Sequence, residues 1–174
     1  LSTIGSKTSG AVTVTNAIKI VGSHDQLKDA LVTTSSKVTA SSAIASFNDA
    51  QNTEITAKEL SDIGSVVASA TVTSAVKVSG NHDQLTAAFV TTTSKVTASS
   101  AKVTFSDAKN TEITAKELSD VGGAVASASV TNKIKVDGNH DQLTAAFVTT
   151  TSKVTAASAV VTFSDAKNSE ITAK

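Results

Sequence analysis

The chain has 174 residues, 40% of them hydrophobic, and 15 Lys balance 15 Asp and Glu with no Arg, so the formal net charge is zero. Nucleic-acid binding would want a basic face with aromatics for stacking, and neither is present. Cys is absent, which excludes disulfide staples and thiolate zinc sites, and no apolar run reaches the roughly 18 residues of a membrane span.

Five Phe and no Trp, Tyr or Met leave a core of Val, Ala, Ile and Leu. The abundant Val and Thr are stiff, β-branched residues that suit a pleated surface. One unit of 58 residues is repeated three times, as 1–58, 59–116 and 117–174; the last two copies agree at 47 of 58 positions. His-Asp-Gln-Leu recurs at His24, His82 and His140, and Glu-Ile-Thr-Ala-Lys at Glu54, Glu112 and Glu170. A fixed period at this scale is the signature of stacked modules. Three near-equal surfaces also argue against an enzyme, which needs one asymmetric site.

The elements are clearest in the second copy. Ser69–Gly80 reads as one strand, with Val72, Val76 and Val78 apolar and Lys77 between them. Gly80 turns the chain, and Asn81 with Gln84 has the spacing of a capping box, so a short helix follows with Leu85, Ala88 and Phe89 inward. Val90–Thr97 is expected to be a further strand. Ala101–Ser106 is a strand with Val103 and Phe105 on one side, and Asp107–Asn110 is a turn. Thr114 and Glu117 form a second capping box, Leu118 and Val121 point inward, and Gly122 and Gly123 are placed as helix stops.

The fold expected from this grammar is a β-rich solenoid of strand-plus-short-helix coils, about two coils per repeat and about six in all. Its three repeats would make one continuous body, with Phe47, Phe105 and Phe163 in one internal column and Leu31, Phe89 and Phe147 in another. All-β sandwich domains are the alternative. The chain starts at Leu1 rather than Met, as a processed or excised product would. Leu1-Ser-Thr-Ile-Gly5 corresponds to Leu60-Ser-Asp-Ile-Gly64, and Ile171-Thr-Ala-Lys174 stops where the other copies continue. Uncapped solenoid ends template further pairing, and a contact that does not close gives a filament. Zero net charge permits such association. The expectation is a structural protein of an extracellular filament, sheath or surface layer. It would assemble head to tail with itself, or with neighbouring repeats of a longer chain, through Leu1, Ile4, Ile171 and Lys174. The alternative role is an adhesin stalk, or an ice- or calcium-binding surface module, from a longer secreted protein.

The pattern Val-Thr-Phe-Ser-Asp followed by Glu-Ile-Thr-Ala-Lys-Glu-Leu-Ser-Asp resembles Thr/Ala-rich repeats of large secreted bacterial surface proteins, of the cyanobacterial hemolysin-like, RTX-associated kind. Asp107, Thr114, Leu118 and Val121 carry the resemblance, as do Asp49, Thr56, Leu60 and Ile63. The Gly-Gly-x-Gly-x-Asp nonapeptide of true RTX sequence is absent. The resemblance implies an extracellular or cell-surface, architectural role.

Two residue sets invite chemistry. His24-Asp25, His82-Asp83 and His140-Asp141 could bind metal or act as bases. However, equivalent residues two coils apart would lie roughly 10 Å apart, and no nucleophile is singled out beside them. They read as the first helical residue with an acidic partner for the helix dipole. The turns Asp49/Asn52/Glu54, Asp107/Asn110/Glu112 and Asp165/Asn168/Glu170 are oxygen-rich. Oxygen ligands suit calcium, but three side chains per turn fall short of six to eight ligands, and Asp and Asn are ordinary turn residues. No other cofactor is indicated. Runs such as Thr91–Thr93 alternate faces and sit near Lys95, which spoils a flat ice-binding array.

Overall fold

The computed structural model describes residues 1–172. The first repeat holds α1 (Ser2–Lys7), β1 (Val12–Thr13), β2 (Lys19–Gly22), α2 (His24–Leu31), β3 (Val38–Thr39), β4 (Ile44–Phe47) and β5 (Glu54–Thr56). Helix α3 (Ala57–Ser65) crosses into the second repeat, which continues as β6 (Ser69–Val72), β7 (Lys77–Gly80), α4 (His82–Phe89), β8 (Val96–Thr97), β9 (Lys102–Phe105) and β10 (Glu112–Thr114). Helix α5 (Ala115–Ala124) crosses the next junction. It is followed by β11 (Ser127–Val130), β12 (Lys135–Gly138), α6 (His140–Phe147), β13 (Val154–Thr155) and β14 (Val160–Phe163).

The helices start where the sequence supplies caps. Asn81 Oδ1 accepts from the Gln84 backbone N–H while Gln84 Oε1 accepts from that of Asn81. Thr114 and Glu117 do the same for α5, and Ser23 with Gln26 for α2. Each box satisfies two donors that a helix N-terminus would otherwise leave orphaned.

All strand pairings are parallel. The order is β2-β4-β6-β8 in one sheet, β5-β7-β9-β11-β13 in a second and β10-β12-β14 in a third, with β1 and β3 a separate pair. Consecutive long strands in a sheet are joined through a helix, which is the crossover that parallel pairing requires. The five-stranded sheet takes β5 from the first repeat, β7 and β9 from the second, and β11 and β13 from the third. Helices pack on helices in the same manner, α3 on α4, α4 on α5 and α5 on α6.

This topology corrects the expected fold. The three βα repeats interlock into a single α/β domain and do not form an open β-solenoid of equal coils, nor a β-sandwich. Among the described residues no strand column runs the length of the chain, because the strands divide among four separate sheets. The stretch Ser69–Gly80, expected as one strand, is two, and β6 and β7 belong to different sheets. Val90–Thr97 is mostly turn, with strand only at Val96–Thr97. The filament subunit assembling with itself falls with the solenoid. The contacts that were to be made between copies are made within one chain, across its repeats. Of the expected assembly residues, Leu1, Ile4 and Ile171 are exposed, and Lys174 lies outside the described residues.

The Phe column is corrected too. Phe47 pairs with Gly22 and Val72 in one sheet, Phe105 with Gly80 and Val130 in a second, and Phe163 with Gly138 in a third. Phe47 and Phe105 are buried, each contributing roughly 1.5–3 kcal/mol, whereas Phe163 is 58% exposed. Of the other proposed column, Leu31 is buried and Phe89 and Phe147 are partly buried. Gly122 is no helix stop. It lies within α5, and a Cβ there would sit 1.7 Å from the Ser152 carbonyl oxygen.

Helix and strand side chains make one core, with Leu60, Ile63, Val78, Leu85, Phe105, Leu118 and Val136 among its buried members. The opposite face of the sheets is open to water, as the exposed-buried alternation of Lys77–Gly80 and Lys102–Phe105 records. Parallel sheets are usually covered on both faces, so a bare one is the feature of this fold most relevant to function.

Candidate functional site

Two constellations carry the chain's polar chemistry. The first joins helix starts to strand ends. Asp49 is buried after β4, and its Oδ2 accepts from the His24 backbone N–H at 2.9 Å while Oδ1 lies 2.7 Å from His24 Nδ1. Asp107, after β9, repeats both contacts with His82. Asp165, after β14, accepts from the His140 backbone N–H at 2.9 Å. In each case 25 residues separate the partners. On the far side of the ring, His24 Nε2 stands 3.5 Å from Asp25 and His82 Nε2 3.4 Å from Asp83.

His82 is largely shielded from water. Burial lowers its pKa, but the Asp107 hydrogen bond and charge, then Asp83 and Glu117, outweigh burial and hold it above its ordinary value. The His residues are thus first-turn helical residues, as expected, but each is also tied to a distant carboxylate. The signal was present in the sequence as the constant 25-residue separation, which is also the step from β2 to β4 to β6, from β7 to β9 to β11 and from β12 to β14.

This arrangement redistributes the oxygen-rich turns. Asp49 and Asp107 face the histidines. Asn52, Asn110 and Asn168 adopt left-handed backbone at φ 65° to 68°, a conformation Asn tolerates. Glu54 and Glu112 are exposed and reach toward Lys77 at 3.9 Å and Lys135 at 3.2 Å; Glu170 is exposed. Among the described residues no group of three or more His, Cys, Asp or Glu is arranged to hold a metal ion.

A separate polar link ties helix to helix. Glu59, on α3, accepts from Lys28 Nζ at 2.9 Å and from the Thr56 backbone and hydroxyl. Burial opposes its ionisation, yet these hydrogen bonds pull its carboxyl down to about 2. Lys28 is raised by the same bond and by the Glu59 charge. In the second repeat Thr86 stands where Lys28 does in the first, and its buried hydroxyl has no partner among the described residues.

The second constellation is the bare sheet face. Strand register aligns Thr56, Ser79, Thr104, Ser129 and Thr155 across the five-stranded sheet. Ser129 is half-buried and the others are exposed. Two residues earlier along each strand lies a parallel row of Glu54, Lys77, Lys102 and Ser127. At about 4.8 Å per strand the hydroxyl row extends roughly 19 Å. The Thr56 hydroxyl is engaged in capping α3. Lys95 and Lys153 do not intrude, since their ammonium groups turn back to the Val67 and Val125 carbonyls. Sequence reasoning missed the ladder because it looked for hydroxyls in the run Thr91–Thr93, which lies in an exposed turn. The alternation Lys-Val-Ser-Gly and Lys-Val-Thr-Phe carried the signal.

The concave regions offer less. A cleft of about 330 Å³ is lined by Ser2, Thr3, Ser6, Asp29, Thr33 and neighbouring serines, with no paired acid and base. Among the described residues no helix is long and apolar enough to cross a membrane. Compared with known proteins, the chain matches no family model, no curated protein and no solved structure. The resemblance to Thr/Ala-rich secreted bacterial repeats is corrected accordingly, because no such family is matched and the repeats interlock into one α/β domain.

Proposed function

We propose that this protein is a non-catalytic binding module, that its working surface is the bare face of the five-stranded sheet, and that its ligand is an extended, neutral polysaccharide. The observation that carries the reading is the register-aligned row Ser79, Thr104, Ser129 and Thr155, with Thr56 at its head. Ser and Thr hydroxyls both donate and accept, as sugar hydroxyls do. An extended polysaccharide presents such groups at regular intervals along a line, and the row is a line. Held on paired strands, the row needs little ordering on contact, which lowers the entropic cost of binding. Lys77 and Lys102 beside it can add charge-assisted hydrogen bonds to sugar oxygens. A neutral chain suits a neutral polymer. Structural polysaccharides lie outside cells, so this reading goes with a module at or beyond the cell surface.

The test is retention on insoluble cellulose and chitin, with a triple substitution of Ser79→Lys, Thr104→Lys and Ser129→Lys as comparison. Retention of the native chain, weakened about tenfold or more in the variant (1.4 kcal/mol), supports the assignment. A native chain that stays in the supernatant with both polymers removes it, and leaves the face as a solvated surface built from good strand formers.

A further inference from the structure

We infer that the His82–Asp107 contact is a pH-sensitive latch, closed more firmly in mild acid and relaxed as the pH rises past neutrality. The inference does not rest on the polysaccharide reading.

The geometry places a titratable ring at a joint. His82 opens α4, and Asp107 lies two residues past the end of β9. The Asp107 side chain is 1% exposed and that of His82 18%. The carboxylate makes two contacts of different kind. One is with the His82 backbone N–H at 2.9 Å, which is present at every pH. The other is with ring Nδ1, and its strength depends on ring charge. Neutral imidazole can still donate from Nδ1, whereas the imidazolium adds full charge attraction inside a partly desolvated site. Loss of the ring proton therefore weakens the joint without breaking it.

The surroundings reinforce the sign. Asp83, in the first turn of α4, stands 3.4 Å from Nε2, and Glu117 of α5 adds a further negative field. On α3, Lys58 is taken up by Asp62 and Glu59 by Lys28. Against these carboxylates stand burial and the positive end of the α4 dipole, which disfavours a cation at the first helical position. The carboxylates prevail. A group whose pKa is raised on folding contributes stability that is complete below its unfolded value, about 6.5, and that is lost as pH rises through the folded value. The affected region is the start of α4 and the turn between β9 and β10.

The experiment has two readouts on the full chain between pH 5 and 9. The first follows the three histidine rings by NMR, assigned by single substitution. The second is the unfolding midpoint of the native chain and of His82→Asn. The latch requires that the His82 ring titrate above 6.5. It also requires that the native midpoint fall as the pH rises across the range, and that this fall shrink in His82→Asn. A His82 ring titrating at or below 6.5 overturns the inference, and so does a pH profile of His82→Asn that matches the native one. Should the variant fail to fold, the ring titration of the native chain decides alone.

Discussion

At the scale of single residues, glycine keys a helix to a turn within each repeat. Gly5, Gly64 and Gly122 each face a backbone carbonyl, that of Ser36, Ser94 and Ser152 respectively, so closely that a Cβ would stand 1.5–1.8 Å from the oxygen. The helix must lie directly on the turn in each repeat, and only a residue without a side chain allows it. Gly123, one position on in the same helix, has nothing within 4 Å of its would-be Cβ. The pair makes a controlled test. Gly122→Ala is expected to cost about 3 kcal/mol, at the upper end of overpacking penalties. Gly123→Ala is expected to gain about 0.5–1 kcal/mol from helix propensity. Urea unfolding of both variants checks the contrast. Equal effects would mean that the helix can shift off the Ser152 turn.

At the scale of elements, local grammar was legible and partner choice was not. The capping boxes at Asn81/Gln84 and Thr114/Glu117 are written within four residues, and the helices begin at those boxes. The break inside Ser69–Gly80 is different. Thr73 and Val76 prolong the β-branched pattern across it, with no Gly or Pro to mark the turn, and the side-chain period cannot say that β6 and β7 serve different sheets. The Asp107 carboxylate was likewise readable as a turn residue and unreadable as a partner of His82, because that contact exists only once the helix crossover is folded. Helix-to-helix pairing shows the same dependence on distant sequence. Lys28 of α2 bonds Glu59 of α3, 31 residues on. Thr86 of α4 occupies the matching place relative to Glu117 of α5 but has a buried hydroxyl without a partner. Thr86→Lys is therefore expected to rebuild the pair with Glu117 and to stabilise the chain by about 0.5–1 kcal/mol, the range of a partly exposed ion pair. Lys28→Thr should destabilise it. Both effects should shrink in high salt, which thermal melts at two ionic strengths would reveal.

At the scale of the whole molecule, near-identical repeats occupy unequal environments, and this separates an interlocked domain from an array of independent modules. Val-Thr-Phe-Ser-Asp occurs at 103–107 and again at 161–165. In the first, β9 lies between β7 and β11, and Phe105 is 1% exposed between Gly80 and Val130. In the second, β14 pairs with β12, and Phe163 is 58% exposed beside Gly138. Modules that each closed their own core would bury the two rings alike. Here the ring of one repeat is covered by a strand from the next, so its burial depends on the neighbour and not on its own sequence. Phe105→Ala is accordingly expected to cost about 3–5 kcal/mol, the range for an aromatic core truncation, and Phe163→Ala within about 0.5 kcal/mol, as for a surface position. Denaturant unfolding of the two variants gives the comparison directly. Similar losses at both sites would mean that each repeat carries its own core and that the shared sheets add little. A tenfold or greater difference in unfolding equilibrium locates the stability in the strands exchanged between repeats.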